Sequence, residues 1–150
     1  MRTVLELRAL RYLARREYSR MELKRKLSAH DRSVAPEILA ELLDKLEHEG
    51  LLSTERAAEQ IIRARRSRFG SKRIIHALKE KGIDEACIQE ALPSLKETEQ
   101  DAAFAVWQKK FGKAPDSEEE RGKQMRFMMN RGFSTDVIRH VLSQACEENE

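Results

Sequence analysis

Two stretches fifty residues apart, Lys81-Gly82-Ile83-Asp84 and Arg131-Gly132-Phe133-Ser134, follow one rule. In each, a basic residue complements the C-terminus of a helix and glycine takes the left-handed position just past it. An apolar residue then packs back, and Asp or Ser caps the next helix. A helix stop that recurs at a fixed period constrains the fold strongly, because it implies one small unit used several times. The flanking residues agree. Ile74, Ile75 and Leu78 lead into the first stop, and Cys87, Ile88, Ala91 and Leu92 follow it in a helix expected to end before Pro93. Met125, Met128 and Met129 lead into the second, and Val137, Ile138, Val141 and Leu142 follow. This is the 3.6-residue period of amphipathic helices.

The N-terminal third carries the same arrangement, with helices expected near 4–16, 19–29 and 35–49 and Gly50 as the stop. Leu10, Leu13 and Ala14 start one apolar stripe; Ile38, Leu39, Leu42, Leu43 and Leu46 form another. Ser19-Arg20-Met21-Glu22 fits a capping box, and Pro36 suits a first helical turn. A helix near 54–68 holds Ala58, Ile61 and Ile62, and Ser71 opens the next one. Phe104, Trp107 and Phe111 make a stripe at i, i+3, i+7, and Phe69-Gly70 aligns with Phe111-Gly112. Ser117 with Glu120 fits a second capping box. The expectation is an all-α chain, an elongated, curved array of three tandem three-helix repeats spanning 1–50, 51–94 and 95–150. Each repeat is too thin to bury its apolar face alone.

Composition narrows the function classes. Hydrophobic residues are 40% of the chain, aromatics 5% and charged residues 37%, which argues against a β-sandwich or a disulfide scaffold. No apolar run approaches the roughly 18 residues of a membrane span, and the first residues lack the features of a signal peptide. Two cysteines far apart, Cys87 and Cys146, point to a reduced cytoplasm. Residues 1–75 hold 18 Lys and Arg against 11 Asp and Glu, a balance of +7, whereas residues 76–150 hold 11 against 15, or −4. A basic half suits a partner carrying negative charge.

Catalysis finds little support. His30, His48, His76 and His140 are scattered, and Asp44 with His48 reads as a solvated helix pair. Cys87 sits on an apolar stripe, which favours a buried thiol. Gly70-Ser71-Lys72 lacks the earlier glycine of a phosphate loop, where Arg65 stands. No nucleophile, base and orienting group assemble, so no enzyme, metal or cofactor is expected. A DNA-reading helix-turn-helix is also disfavoured. Leu78 and Met128 occupy positions that a tight motif gives to small residues, and Asp84, Glu85 and Glu90 would face phosphates. Trp107 and the three methionines are assigned to the core rather than to binding.

The candidate binding residues are Arg63, Arg65, Arg66, Arg68, Lys72 and Arg73, which Glu59 alone opposes within 56–73. Arg56 adds to the group. Arginine predominates, which suits planar contacts with phosphate or carboxylate. Ser19 aligns with Ser71, so Arg15, Arg16 and Arg20 take the matching place in the first repeat. The third offers Lys109, Lys110, Lys113 and Lys123, diluted by three glutamates at 118–120.

These residues carry a family resemblance over nearly the whole length. Ser19-Arg20-Met21-Glu22-Leu23-Lys24-Arg25-Lys26-Leu27, Gly50-Leu51-Leu52-Ser53, and Arg68-Phe69-Gly70-Ser71-Lys72-Arg73-Ile74 followed by Leu78-Lys79-Glu80-Lys81-Gly82-Ile83 stand in the order and spacing of the RecX family. The chain resembles that family, with Ser71 in place of its usual proline and Ser53-Thr54 where an acidic pair is common. The resemblance implies a non-enzymatic regulator of the RecA recombinase. Such a protein lies in the groove of the RecA–single-stranded DNA filament and mostly represses its ATPase and strand exchange in recombination, repair and the SOS response. A monomer, with weak direct DNA contact, is the corresponding expectation.

Overall fold

The structure is a computed structural model that describes residues 1–148. Among them the chain is all helix: α1 Val4–Arg15, α2 Arg20–His30, α3 Pro36–His48, α4 Thr54–Arg65, α5 Ser71–Glu80, α6 Glu85–Lys110, α7 Glu118–Asn130 and α8 Thr135–Glu148. Residues 149 and 150, the end of the third expected repeat, lie outside the described part.

Local signals place most of the helix ends. Ser19 and Glu22 form the full capping box at α2, the Glu22 N–H reaching Ser19 Oγ at 3.1 Å and the Ser19 N–H reaching Glu22 Oε1 at 3.2 Å. Thr3, Ser53, Asp84 and Ser134 accept equivalent N-terminal bonds for α1, α4, α6 and α8. At α7 the expected box is only half present. The Glu120 N–H bonds to Ser117 Oγ at 3.1 Å, while the Glu120 carboxylate accepts from Gln124 Nε2 at 3.3 Å instead. Gly82 and Gly132 both adopt left-handed backbone, with φ of 75° and 95°. At each stop the following residue donates back to the helix, Ile83 to the Leu78 carbonyl at 3.0 Å and Phe133 to the Met128 carbonyl at 3.3 Å.

One expected stop is absent. α6 runs straight through Pro93 and joins the last helix of the second expected repeat to the first of the third. Proline removes one hydrogen bond, to the carbonyl of Gln89, and interior proline typically costs about 3 kcal/mol. Pro93 and Gln89 are both exposed. Leu95, Ala103, Val106 and Trp107 on the same helix are all buried, which offsets the cost. α4 in turn stops at Arg65 rather than near 68, because three residues of turn carry the chain to Phe69.

The contacts divide into two compact units. The first comprises Met1–Gln60 with Leu78–Ile88. Its core gathers Ala9, Leu23, Leu27, Leu39, Leu43, Leu46 and Leu52 beneath Tyr18, and each large side chain contributes about 1.5–3 kcal/mol. Ile38, expected in the stripe, is exposed, since its neighbour Leu39 takes the inward position. The buried Glu6 carboxylate lies 2.9 Å from Arg2 and 3.2 Å from Lys45. The start of α2 seats on the Gly82 stop: Ser19 Oγ donates to the Lys81 carbonyl at 2.5 Å, and Met21 covers Gly82.

The second unit comprises Ile61–Ala77 with the chain from Gln89 onward. Its core gathers Val106, Trp107, Met128, Phe133, Ile138, Val141 and Leu142. Trp107 is buried as expected, its Nε1 donating to the buried Gln124 Oε1 at 2.8 Å. Met128 is fully buried, but Met129, one residue and about 100° further round the helix, is exposed. Here the start of α5 seats on the Gly132 stop, the Gly70 N–H donating to the Arg131 carbonyl at 2.7 Å and the Lys72 N–H to the Gly132 carbonyl at 3.2 Å. Each unit is thus built on the same joint, the start of a second helix resting on a glycine stop. Cys87 is half-buried rather than buried, and Cys146 is exposed; no disulfide joins them.

Candidate interaction surface

The nine basic side chains singled out in the sequence fall into two groups. Three are engaged within the fold. Arg20 Nη1 lies 2.7 Å from both Asp44 and Glu47, so Asp44 pairs with Arg20 as well as flanking His48. Its hydrogen bond to Glu47 raises the guanidinium above its usual value, with Asp44 assisting and burial opposing. Arg16 stacks on the Tyr18 ring at 3.7 Å and pairs with Glu22 at 3.0 Å. Burial works against its charge, but the contacts with Glu22 and Tyr18 together hold it raised. Arg66 is the most enclosed of the three. Its Nη2 lies 3.3 Å from Glu99 and donates to the Leu95 carbonyl at 3.1 Å, while its Nε is buried with no partner among the described residues.

Glu99 explains why the second unit needs Arg66. The α5 N-terminus has no capping side chain ahead of it, since Gly70 precedes Ser71. Glu99, on α6, supplies the acceptor instead, taking the Ser71 N–H at 3.0 and 3.1 Å and the Ser71 hydroxyl as well. A carboxylate at a helix N-terminus suits the helix dipole, and Arg66 neutralises its remaining charge.

The other six candidates, Arg15, Arg63, Arg65, Arg68, Lys72 and Arg73, have no carboxylate partner among the described residues. Arg65 is half-buried and the other five are exposed. In the second unit Arg68 and Arg73 come together around Phe69, their guanidinium carbons 5.4 and 4.8 Å from its ring centre. A third arginine completes the cluster. Arg131 lies 5.4 Å from Phe69 and 5.0 Å from Phe127, and Lys110 lies 5.3 Å from Phe127. Backbone carbonyls hold two of these side chains in place: Arg73 Nη1 donates to Asn130 at 2.7 Å and Arg131 Nη1 to Arg68 at 3.4 Å. Each cation–ring contact is worth about 0.5–1 kcal/mol at such exposure. Three guanidiniums share one ring, so any two lie within about 11 Å. Like charges so close repel, and an arriving anion relieves the repulsion.

Arg131 is the residue that sequence reasoning assigned to helix termination alone. Its position in the repeated stop was a signal, because the stop of one repeat meets the helix start of the preceding one. Among the described residues no group of three or more His, Cys, Asp or Glu is placed to hold a metal ion. No described helix is long and apolar enough to cross a membrane.

Comparison with known proteins fits this architecture. The family model described as the second three-helix domain of RecX matches residues 55–92, and that of the third three-helix domain matches 97–142. The protein called Regulatory protein RecX in Ralstonia pickettii is 45% identical over 143 residues, covering 95% of this chain and 89% of its own length. That of Leptothrix cholodnii is 41% identical, covering 95% and 90%. The crystal structure of RecX from Lactobacillus salivarius is similar with a TM-score of 0.82 at 23% identity over 95% of each chain, a likeness of fold. Two matched domains and relatives of this identity along almost the whole length show that the chain belongs to the RecX family of regulatory proteins.

Proposed function

We propose that this chain regulates the RecA recombinase by binding the RecA–single-stranded DNA filament, and that it mostly inhibits ATP hydrolysis, filament extension and strand exchange. Its place is in DNA recombination, repair and the SOS response. Family membership supports the choice of RecA. The observation that carries the contact surface is the gathering of Arg68, Arg73 and Arg131 on Phe69 with no carboxylate partner among the described residues. Arg68 and Arg73 are exposed and Arg131 is half-buried, and ring and carbonyl contacts hold them in place with their charge left for an anionic partner. Arg63, Arg65 and Lys72 extend that surface, and Arg15 is its counterpart in the first unit. Arg16 and Arg20 in the first unit and Arg66 in the second are paired with carboxylates of their own unit and support its fold.

The test is charge reversal at two exposed positions that bear no ion pair, Arg63→Glu with Arg68→Glu. Filament binding and inhibition should be lost while the helical circular dichroism is unchanged. Inhibition at wild-type strength would overturn the assignment. A second reading, a direct nucleic-acid binder, is favoured by the same unpaired guanidiniums, which suit phosphodiesters equally well. It requires tight binding to bare single-stranded DNA with log affinity falling steeply against log salt.

A further inference from the structure

Beside the arginine cluster the second unit carries a groove of about 890 Å³ that the basic surface does not explain. Its wall and floor come from three elements: the start of α5, the first half of α6, and the start of α8 with the turn before it. Leu92 and Val137 supply the apolar surface over the buried Leu95, with Pro93 and the Gly132 backbone at its edges. Lys72 and Lys96 stand on the rim, both exposed and neither with a carboxylate partner among the described residues. One carboxylate lines the groove, Glu99, and it is already committed to Arg66 and Ser71. The open space is therefore aliphatic inside and positive at its edges.

We propose that this groove is a docking site for an acidic amphipathic segment of a partner protein. Such a segment would place aliphatic side chains against Leu92 and Val137 and its carboxylates against Lys72 and Lys96. The chemistry of the lining selects a protein rather than a nucleic acid. No aromatic ring lines the groove to stack a base, and its apolar floor offers a phosphate nothing. Apolar side chains in a groove are the usual anchors of an amphipathic helix, and paired rim charges set its orientation and partner choice. Lys72 and Arg73 are adjacent, so the groove continues the cationic surface, and one partner meets both. The inference rests on the reading above in taking RecA as that partner, but it assigns the groove to RecA's protein surface and the arginines to its anionic one.

The experiment uses the full-length protein with a photo-crosslinking amino acid at Gln100, on the groove wall, added to RecA assembled on single-stranded DNA with ATP. The expected result is a crosslink to a RecA peptide holding Asp or Glu beside aliphatic residues. A Leu92→Asp variant with unchanged helical content should lose that crosslink and at least about tenfold in filament affinity, the factor that 1.4 kcal/mol represents. A crosslink to DNA, or to a second copy of this chain, would overturn the proposal. So would wild-type affinity of Leu92→Asp for filaments. Failure of the unaltered protein to bind filaments at all would instead overturn the reading of RecA as its target.

Discussion

Gly70 and Gly132 meet backbone to backbone, so closely that a Cβ on Gly70 would lie 2.4 Å from the Gly132 carbonyl oxygen. Gly70 needs no left-handed conformation; Gly132 does, at φ 95°. One glycine is therefore required for close approach and the other for both approach and turn, since a Cβ on Gly132 would meet Arg73 at 2.5–2.9 Å. This contact sets the start of α5 on the α7–α8 stop, and with it the positions of Phe69, Arg73 and Arg131.

Gly70→Ala should accordingly destabilise the second unit by about 2–3 kcal/mol, because backbone on both sides cannot retreat as a side chain would. Gly132→Ala should cost more, as it adds strain in the left-handed region. Urea unfolding followed by circular dichroism measures both. Equal stability of wild type and Gly70→Ala would mean the joint is looser than the contact implies.

Glu99→Gln should cost about 3 kcal/mol by leaving the enclosed Arg66 charge without its counter-ion. Arg66→Met combined with Glu99→Gln should cost less than the two single changes added together, since the pair is then removed as a unit. The double-mutant cycle on unfolding free energies reads the coupling directly.

Gln124→Met should leave the buried indole N–H of Trp107 without its acceptor and cost about 1–3 kcal/mol. Trp107 is the chain's one tryptophan. Its emission therefore reports this site alone and should shift in the folded variant, while the unfolded spectra coincide.

Ser19→Ala should cost about 1–2 kcal/mol, losing both its N-cap bond and its donation to Lys81. Ser117→Ala, which removes a single exposed N-cap bond, should cost less. Thermal unfolding of the two variants side by side gives the ranking.

The helices and their stops were legible because their causes are local. A capping serine, a glycine past the last turn and an apolar stripe all lie within a few residues of what they determine. Met129 and Ile38 were misplaced because one helical step decides between core and solvent, and a run of apolar residues does not show which member faces in. Pro93 misled for a related reason, since a local helix breaker is overruled when the residues beyond it are buried on the same axis. Two features of the candidate surface depend on distant residues. Glu99 caps α5 from 28 positions away, and Arg131 reaches Phe69 only because the Gly70–Gly132 contact brings them together. The basic character of residues 63–73 was visible in the sequence. Which of those arginines serve the fold and which face outward was not, because it depends on carboxylates elsewhere in the chain.

The most direct test is to titrate the purified protein, well below the RecA concentration, into RecA hydrolysing ATP on single-stranded DNA. Hydrolysis should be lost at that ratio, without comparable affinity for bare DNA, and should recover when Arg63 and Arg68 are reversed in charge. No effect even at stoichiometric amounts, together with tight and salt-sensitive binding to bare DNA, would contradict it.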